Sequence, residues 1–159
     1  MSIKNDQYLL FLIGEDTYGV EALKAQEIVG YENITKIPMM NSYVNGVTNI
    51  RGNIVPVIDL LDRFGLGEST ISEKTSIVVI NYENEHESTQ IGVIIDEVFE
   101  VETITGKDIK PKAAFGSKIS TKFISQMGKY RDNYIPLLDV NAILDYADLS
   151  ELVQLKGTK

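Results

Sequence analysis

The sequence predicts a mainly β protein: two related five-stranded units, each closed into a small barrel, packed together in one chain. Three observations carry this. Most apolar runs are four to seven residues long, rich in Ile, Val and Tyr, and end at Gly, Asn, Asp or Pro, which is the pattern of strands rather than helices. The stretch Arg51-Gly52-Asn53-Ile54-Val55-Pro56-Val57-Ile58-Asp59-Leu60 recurs 80 residues later as Arg131-Asp132-Asn133-Tyr134-Ile135-Pro136-Leu137-Leu138-Asp139-Val140. A chain of 159 residues without cysteine can bury a core large enough to need no disulfide, whereas half of it alone would be marginal.

Strands are expected at about 7–13, 17–20, 28–31, 45–50, 53–58, 76–82, 90–95, 98–102, 122–130 and 133–138. Tyr8 to Ile13 and Ile77 to Ile80 are continuously apolar, so both faces of those strands should be covered. A helical turn is expected around Ala22 to Gln26. Arg51-Gly52 and Arg131-Asp132-Asn133 are the tips of hairpins. Pro56 and Pro136 follow inside strands; lacking an N–H, they should lie at an edge or bulge. Asp59 can cap a helix from Leu60 to Phe64 that Gly65 stops, and Asp139 can start a second from Val140 to Asp145. Asp148 with Glu151 resembles a capping box and opens a C-terminal helix over 148–156. The polar, glycine-bearing stretch from Gly65 to Lys74 is linker-like and near the midpoint. Further matches, Tyr18-Gly19-Val20 with Ile91-Gly92-Val93, Glu27-Ile28-Val29 with Glu97-Val98-Phe99 and Ile34-Thr35 with Ile104-Thr105, support two pseudo-repeated subdomains. These span about 15–70 and about 75–145, with the N-terminal strand exchanged between them.

Composition narrows the function. Acidic residues number 23 against 15 basic, for a formal charge of −8, which disfavours a binder of nucleic-acid backbone. One histidine and no cysteine starve the common zinc, iron–sulfur and thiol-nucleophile sites. His86 lies in a polar stretch between two strands and is expected at an exposed tip. Gly65-Leu66-Gly67 meets neither phosphate-loop pattern. Lys107, Lys110, Lys112, Lys118 and Lys122 form a basic cluster expected to be a solvated loop. No signal or membrane-spanning segment is visible, so the chain is expected to be cytoplasmic and not inserted in membrane. No catalytic residue, metal site or cofactor is predicted.

The residues left without a core or turn role are more informative. Arg51 stands at a tight turn after Asn49, Gly46 implies a close backbone approach, and Glu27 is placed to meet the arginine. Two readings stand for Arg51: an internal bridge to Glu27, or an interface anchor, a role in which arginine is enriched.

On these residues the chain resembles the CheW family of bacterial chemotaxis coupling proteins. The signal is strongest in Gly46-Val47-Thr48-Asn49-Ile50-Arg51-Gly52-Asn53-Ile54-Val55-Pro56-Val57-Ile58-Asp59-Leu60, with Tyr18-Gly19-Val20 and Gln26-Glu27-Ile28 before it. The second half matches more loosely through Gly92 to Val98, Ile109-Lys110-Pro111 and Ile135 to Val140. The resemblance implies two SH3-like five-stranded barrels forming a non-enzymatic scaffold. Such an adaptor couples the cytoplasmic tip of methyl-accepting chemoreceptors to the regulatory domain of the histidine kinase CheA. It places Glu27 and Arg51 on positions implicated in coupling and Gly46 and Val98 on positions implicated in receptor contact; Ala25 stands where a larger aliphatic is common. An apolar groove between the barrels, edged by Ile28 and Val98, would take the receptor's helical hairpin. The length leaves no room for the added domains of CheA or CheV, which favours the stand-alone coupling protein. The alternatives are a small-ligand-binding barrel and an adaptor of the same fold serving another motility pathway.

Overall fold

The computed structural model describes residues 6–37, 43–83, 88–112 and 118–143. Eleven strands run through them: β1 (Gln7–Ile13), β2 (Asp16–Glu21), β3 (Ala25–Gly30), β4 (Val44–Ile50), β5 (Asn53–Asp59), β6 (Ser76–Glu83), β7 (Ser88–Ile95), β8 (Glu97–Thr103), β9 (Ile109–Pro111), β10 (Ile124–Tyr130) and β11 (Asn133–Leu138). Two one-turn helices, α1 (Leu60–Arg63) and α2 (Val140–Ile143), follow β5 and β11. The fold is mainly β, in two packed sheets. One has five strands in the order β3-β6-β7-β5-β4, the other six in the order β8-β1-β2-β11-β10-β9. The sixth strand, β9, is three residues long with one half-buried apolar side chain, too short to show in the sequence pattern. It turns part of the expected lysine loop into an edge strand, and the edge suits Pro111.

The two sheets have the same plan. Strand by strand, β8, β1, β2, β11 and β10 correspond to β3, β6, β7, β5 and β4. The hairpin β1–β2 therefore stands in the sheet otherwise made by the second half of the chain, and β6–β7 stands in the sheet of the first. Even β9 has a counterpart, because the isolated bridge Thr35↔Val47 matches the pairing of Lys110 with Met127.

This plan makes three cores. Ile50, Val55, Val57, Ile77, Val79 and Ile94 fill the five-stranded unit, and Tyr8, Leu10, Ile104, Ile135 and Leu137 fill the other. Between the units lies the largest cluster, with Leu9, Phe11 and Ile13 from β1 meeting Val78, Ile80 and Tyr82 from β6. The alternate residues of β1 and β6 thus enter different cores, which is why those runs are apolar throughout.

Each half closes in the same way. Asp59 is buried, and its carboxylate accepts from Leu61 N, Asp62 N, Ser69 N and Ser69 Oγ, capping α1 and fastening the following loop. Asp139 accepts from Asn141 N and Ala142 N at α2. Asp59 N donates to Tyr43 O and Asp139 N to Phe123 O, again 80 residues apart. Arg63 joins the halves: its guanidinium lies 4.9 Å from the Tyr43 ring centroid and 5.0 Å from that of Phe123, and its Nε donates to Ile143 O.

Two local expectations change. Pro56 and Pro136 are in interior strands, not at edges. Counting from the two-residue turns, both occupy positions not hydrogen-bonded to the hairpin partner, and the parallel pairing on their other side starts only at the next residue, Val57↔Gly92 and Leu137↔Gly19. The missing N–H therefore faces the start of a ladder and costs no bond. Residues 122 and 123 belong to a 3-10 turn, Thr121–Phe123, in which Ser120 Oγ accepts from Lys122 N, so β10 begins at Ile124. Helix 148–156, residues 144 and 145, and His86 lie outside the described residues.

Asp96 joins β7 to β8, where the chain passes between sheets. Its Oδ2 accepts from Gly14 N at 2.6 Å, while its buried Oδ1 has no partner. Burial raises the Asp96 carboxyl above its ordinary value of 3.8, and the charge of Asp59 adds to this, against the Gly14 bond that lowers it. A raised folded value means that the native state holds the proton more tightly, so this group's stabilising contribution is complete below 3.8 and is lost as pH rises through the raised value. The melting temperature of Asp96→Asn minus that of the parent should therefore grow between about pH 4 and pH 7. A difference that stays constant across that range contradicts this.

Candidate functional site

The β4–β5 hairpin tip carries most of the residues of interest. Arg51 has φ 53° and Gly52 φ 86°, the two left-handed residues of a type I′ turn. Asn49 Oδ1 accepts from Gly52 N at 2.9 Å and holds that turn. An arginine is an uncommon choice for a left-handed position, where Asn, Asp and Gly are the residues that fit cheaply. Its Nε lies 3.0 Å from Glu27 Oε1 and 3.2 Å from Oε2, and this contact raises the guanidinium pKa further. The Arg51 side chain is 78% exposed, that of Glu27 23%. The bridge expected from the sequence is present, and most of the guanidinium still faces outward.

Gly46 is explained by the backbone beside it. A Cβ there would lie 2.2 Å from Thr35 O, whose residue exchanges two backbone hydrogen bonds with Val47. Ile28, next to Glu27 on the edge strand β3, is 44% exposed. Val98 is elsewhere, half-buried on β8 against the shared core. Glu27, Asn49 and Arg51 therefore form one site, Gly46 and Ile28 stand on its two strands, and Val98 lines a groove that Ile28 does not.

The repeat itself needs a correction. A bulge interrupts β3 between Ala25 and Glu27, and β8 pairs with β1 with the same skip between Val98 and Glu100. The register makes Ala25 the counterpart of Val98, Glu27 of Glu100 and Ile28 of Val101, an offset of 73 rather than 70. Packing agrees: Ala25 and Val98 both lie against the shared core, while Ile28 and Val101 are 44% and 48% exposed. Chemistry agrees as well, because Arg131, with φ 49° at the β10–β11 tip, pairs with Glu100 Oε2 at 3.3 Å. The sequence shows Arg131 as a hairpin tip; Glu100 is missed because the Glu-apolar-apolar run of Glu27-Ile28-Val29 also matches Glu97-Val98-Phe99, three residues short of the true register.

The larger groove runs beside this second tip, with a volume of about 840 Å³. Tyr18, Phe99, Tyr130 and Tyr134 line it, with Glu15, Asp16, Glu97 and Glu100 among the charged residues. Tyr130 Oη donates to Glu100 Oε2, which raises its pKa, and Tyr18 is pushed up to about 12 by burial and then by Asp16. Among the described residues no group of three or more His, Cys, Asp or Glu is arranged to hold a metal, and no helix is long and apolar enough to cross a membrane.

The model of the CheW-like domain matches residues 7–148, nearly all of the chain. The chain belongs to the CheW family. Among its relatives, chemotaxis protein CheW of Klebsiella aerogenes is 31% identical over 91% of this chain and 84% of that protein. Chemotaxis protein CheW of Bacillus subtilis is 29% identical over 88% and 87%. The crystal structure of the scaffolding protein TtCheW from Thermoanaerobacter tengcongensis superposes with a TM-score of 0.80 at 28% identity, covering 92% of each chain. The pair of sheets accordingly has the fold of that CheW scaffold, and the Glu27–Arg51 tip of this CheW-family chain lies in the part where the sequence signal is strongest.

Proposed function

We propose that this protein is a non-enzymatic adaptor of chemotaxis that couples methyl-accepting chemoreceptors to the histidine kinase CheA. The observation that carries the reading is the match to the CheW-like domain over residues 7–148, together with relatives named as chemotaxis proteins along most of their own length. The geometry suits the role, because rigid β units present exposed groups on short tips and edge strands instead of gathering them in a deep polar cleft. Arg51, held by Glu27 and displayed outward on a tip that Asn49 fixes, is the anchor for the regulatory domain of CheA. Ile28 on β3, Gly46 on β4 and Val98 on β8 contribute to the receptor contact. Of these, Ile28 is the exposed apolar side chain and Val98 is half-buried against the core, so Ile28→Asp tests receptor contact with less structural damage than Val98→Asp.

The test is the autophosphorylation rate of CheA with a receptor cytoplasmic fragment, with and without this protein. Activation that requires all three components is expected. A rate unchanged by this protein, at concentrations where it is folded, would overturn the proposal.

A further inference from the structure

The internal duplication gives each residue of the large groove a control, namely the residue at the equivalent place in the other barrel. Tyr130, Tyr134 and Met127 correspond to Ile50, Ile54 and Val47 through the hairpin offset of 80. Tyr18 and Phe99 correspond to Ile91 and Gln26 through the offset of 73, and Phe99 and Gln26 are the bulged residues of their strands. Tyr18 is buried in the shared core against Phe64, as Ile91 is buried in the same core, but barrel closure and sheet pairing, the same in both halves, do not account for Phe99, Tyr130 and Tyr134 where the other barrel has no aromatic ring. Two of these rings are open to solvent, Phe99 at 40% and Tyr134 at 45% exposure. Pro136, Ile135 and Val98 complete the apolar wall.

The charges around the rings are also asymmetric. Four carboxylates, Glu15, Asp16, Glu97 and Glu100, line the groove against two lining cations, Lys118 and Arg131, while Lys74 reaches Glu97 at 3.7 Å, which leaves an excess of one negative charge. Both cations are already engaged, Lys118 with Asp16 at 3.1 Å and Glu15 at 3.7 Å, Arg131 with Glu100 at 3.3 Å. The Glu15 side chain is 91% exposed, so its bridge is easily exchanged for another cation. The Arg131 guanidinium lies 5.1 Å from the centroid of the Tyr130 ring, which shows that a cation is accommodated on that face.

We infer that this groove, on the second barrel and apart from the Glu27–Arg51 tip, binds an extended peptide segment that carries proline and at least one basic residue. Proline-rich segments keep an extended, left-handed form with little further loss of conformational entropy on binding, and dock in open grooves of aromatic side chains with polar tips. The excess of carboxylates selects a basic residue beside the prolines. A helix is the poorer fit, since the groove is walled by a hairpin tip and a bulged edge strand instead of a long apolar trough.

The test is amide chemical-shift mapping on the 15N-labelled protein with a synthetic peptide of sequence Arg-Pro-Leu-Pro-Pro-Leu-Pro. Saturable shifts at Phe99, Tyr130, Arg131 and Tyr134 by about 1 mM peptide are expected. Replacing the prolines by glycine, or Arg by Glu, should weaken binding about tenfold or more, and Tyr134→Ser, at an exposed position, should do the same without changing the melt. Glu100→Lys should reverse the preference between the Arg and Glu peptides. Absence of saturable shifts would overturn the assignment, as would shifts centred on Arg51 instead. If a receptor helical hairpin shifts these amides and the peptide does not, the groove belongs to the receptor contact and the inference also fails.

Discussion

Gly46→Ala is expected to lower the melting temperature by about 6–12 °C, for a loss of about 3 kcal/mol in a chain of this size. The added methyl would sit 2.2 Å from the carbonyl oxygen of Thr35, and backbone cannot move aside as the end of a flexible side chain can. Relief requires segment 33–36 to shift, which breaks the reciprocal Thr35–Val47 bonds of 2.8 and 2.9 Å and uncovers Ile34 from the first barrel's core. Gly30→Ala is the control, since nothing lies within 4 Å of a Cβ there. A Gly46→Ala melt within about 2 °C of the parent would show that the close approach is not real. Because Gly46 is also a proposed receptor-contact position, receptor binding of this variant has to be read at a temperature where it is folded.

Arg51→Ala should reduce receptor-dependent activation of CheA by about tenfold or more, the effect of losing an interface anchor, while the protein stays folded. Its side chain is 78% exposed and pairs, among the described residues, with Glu27, so little of the fold depends on it. Alanine inherits the left-handed backbone at φ 53° and some strain with it; Arg51→Gly does not, and should melt at or above Arg51→Ala while coupling equally poorly. The double swap Glu27→Arg with Arg51→Glu separates the two roles of this arginine. Coupling restored by the swap would assign the effect to the bridge itself; coupling that stays lost places the guanidinium against the partner, which is the result expected here.

Much of the fold was legible because its signals are local. Asp59 and Asp139 were recognisable as caps from one carboxylate followed by an apolar run, and both cap their helices. Tyr8 to Ile13 and Ile77 to Ile80 announced two covered faces by lacking alternation, and they are the strands shared by two cores. What stayed hidden depends on pairing across the sequence. Pro56 and Pro136 look like edge residues until the register shows that their missing N–H meets no partner. The equivalence of Glu27 and Glu100 hides behind the competing match of Glu27-Ile28-Val29 with Glu97-Val98-Phe99, which only the pairing register excludes, and without it the second arginine bridge, Arg131 to Glu100, and the exposed Val101 stay unseen. Asn49 and Arg51 could be grouped from sequence because one tight turn holds both; Glu27, 24 residues away on the opposite edge strand of the sheet, was joined to them only as an opposite charge. The aromatic groove could not, since its walls come from residues 15–18, 97–100 and 127–136.

A single small protein that bridges two partners should carry one into a pellet with the other, which co-sedimentation reads. Receptor cytoplasmic fragment assembled on vesicles, soluble CheA and this protein are mixed and pelleted. CheA should enter the pellet severalfold more when this protein is present, the protein itself should pellet with receptor alone, and Ile28→Asp and Arg51→Glu should each reduce the recovered CheA. If the protein pellets with receptor but leaves CheA in the supernatant, or if CheA recovery is the same without it, the bridging account is contradicted.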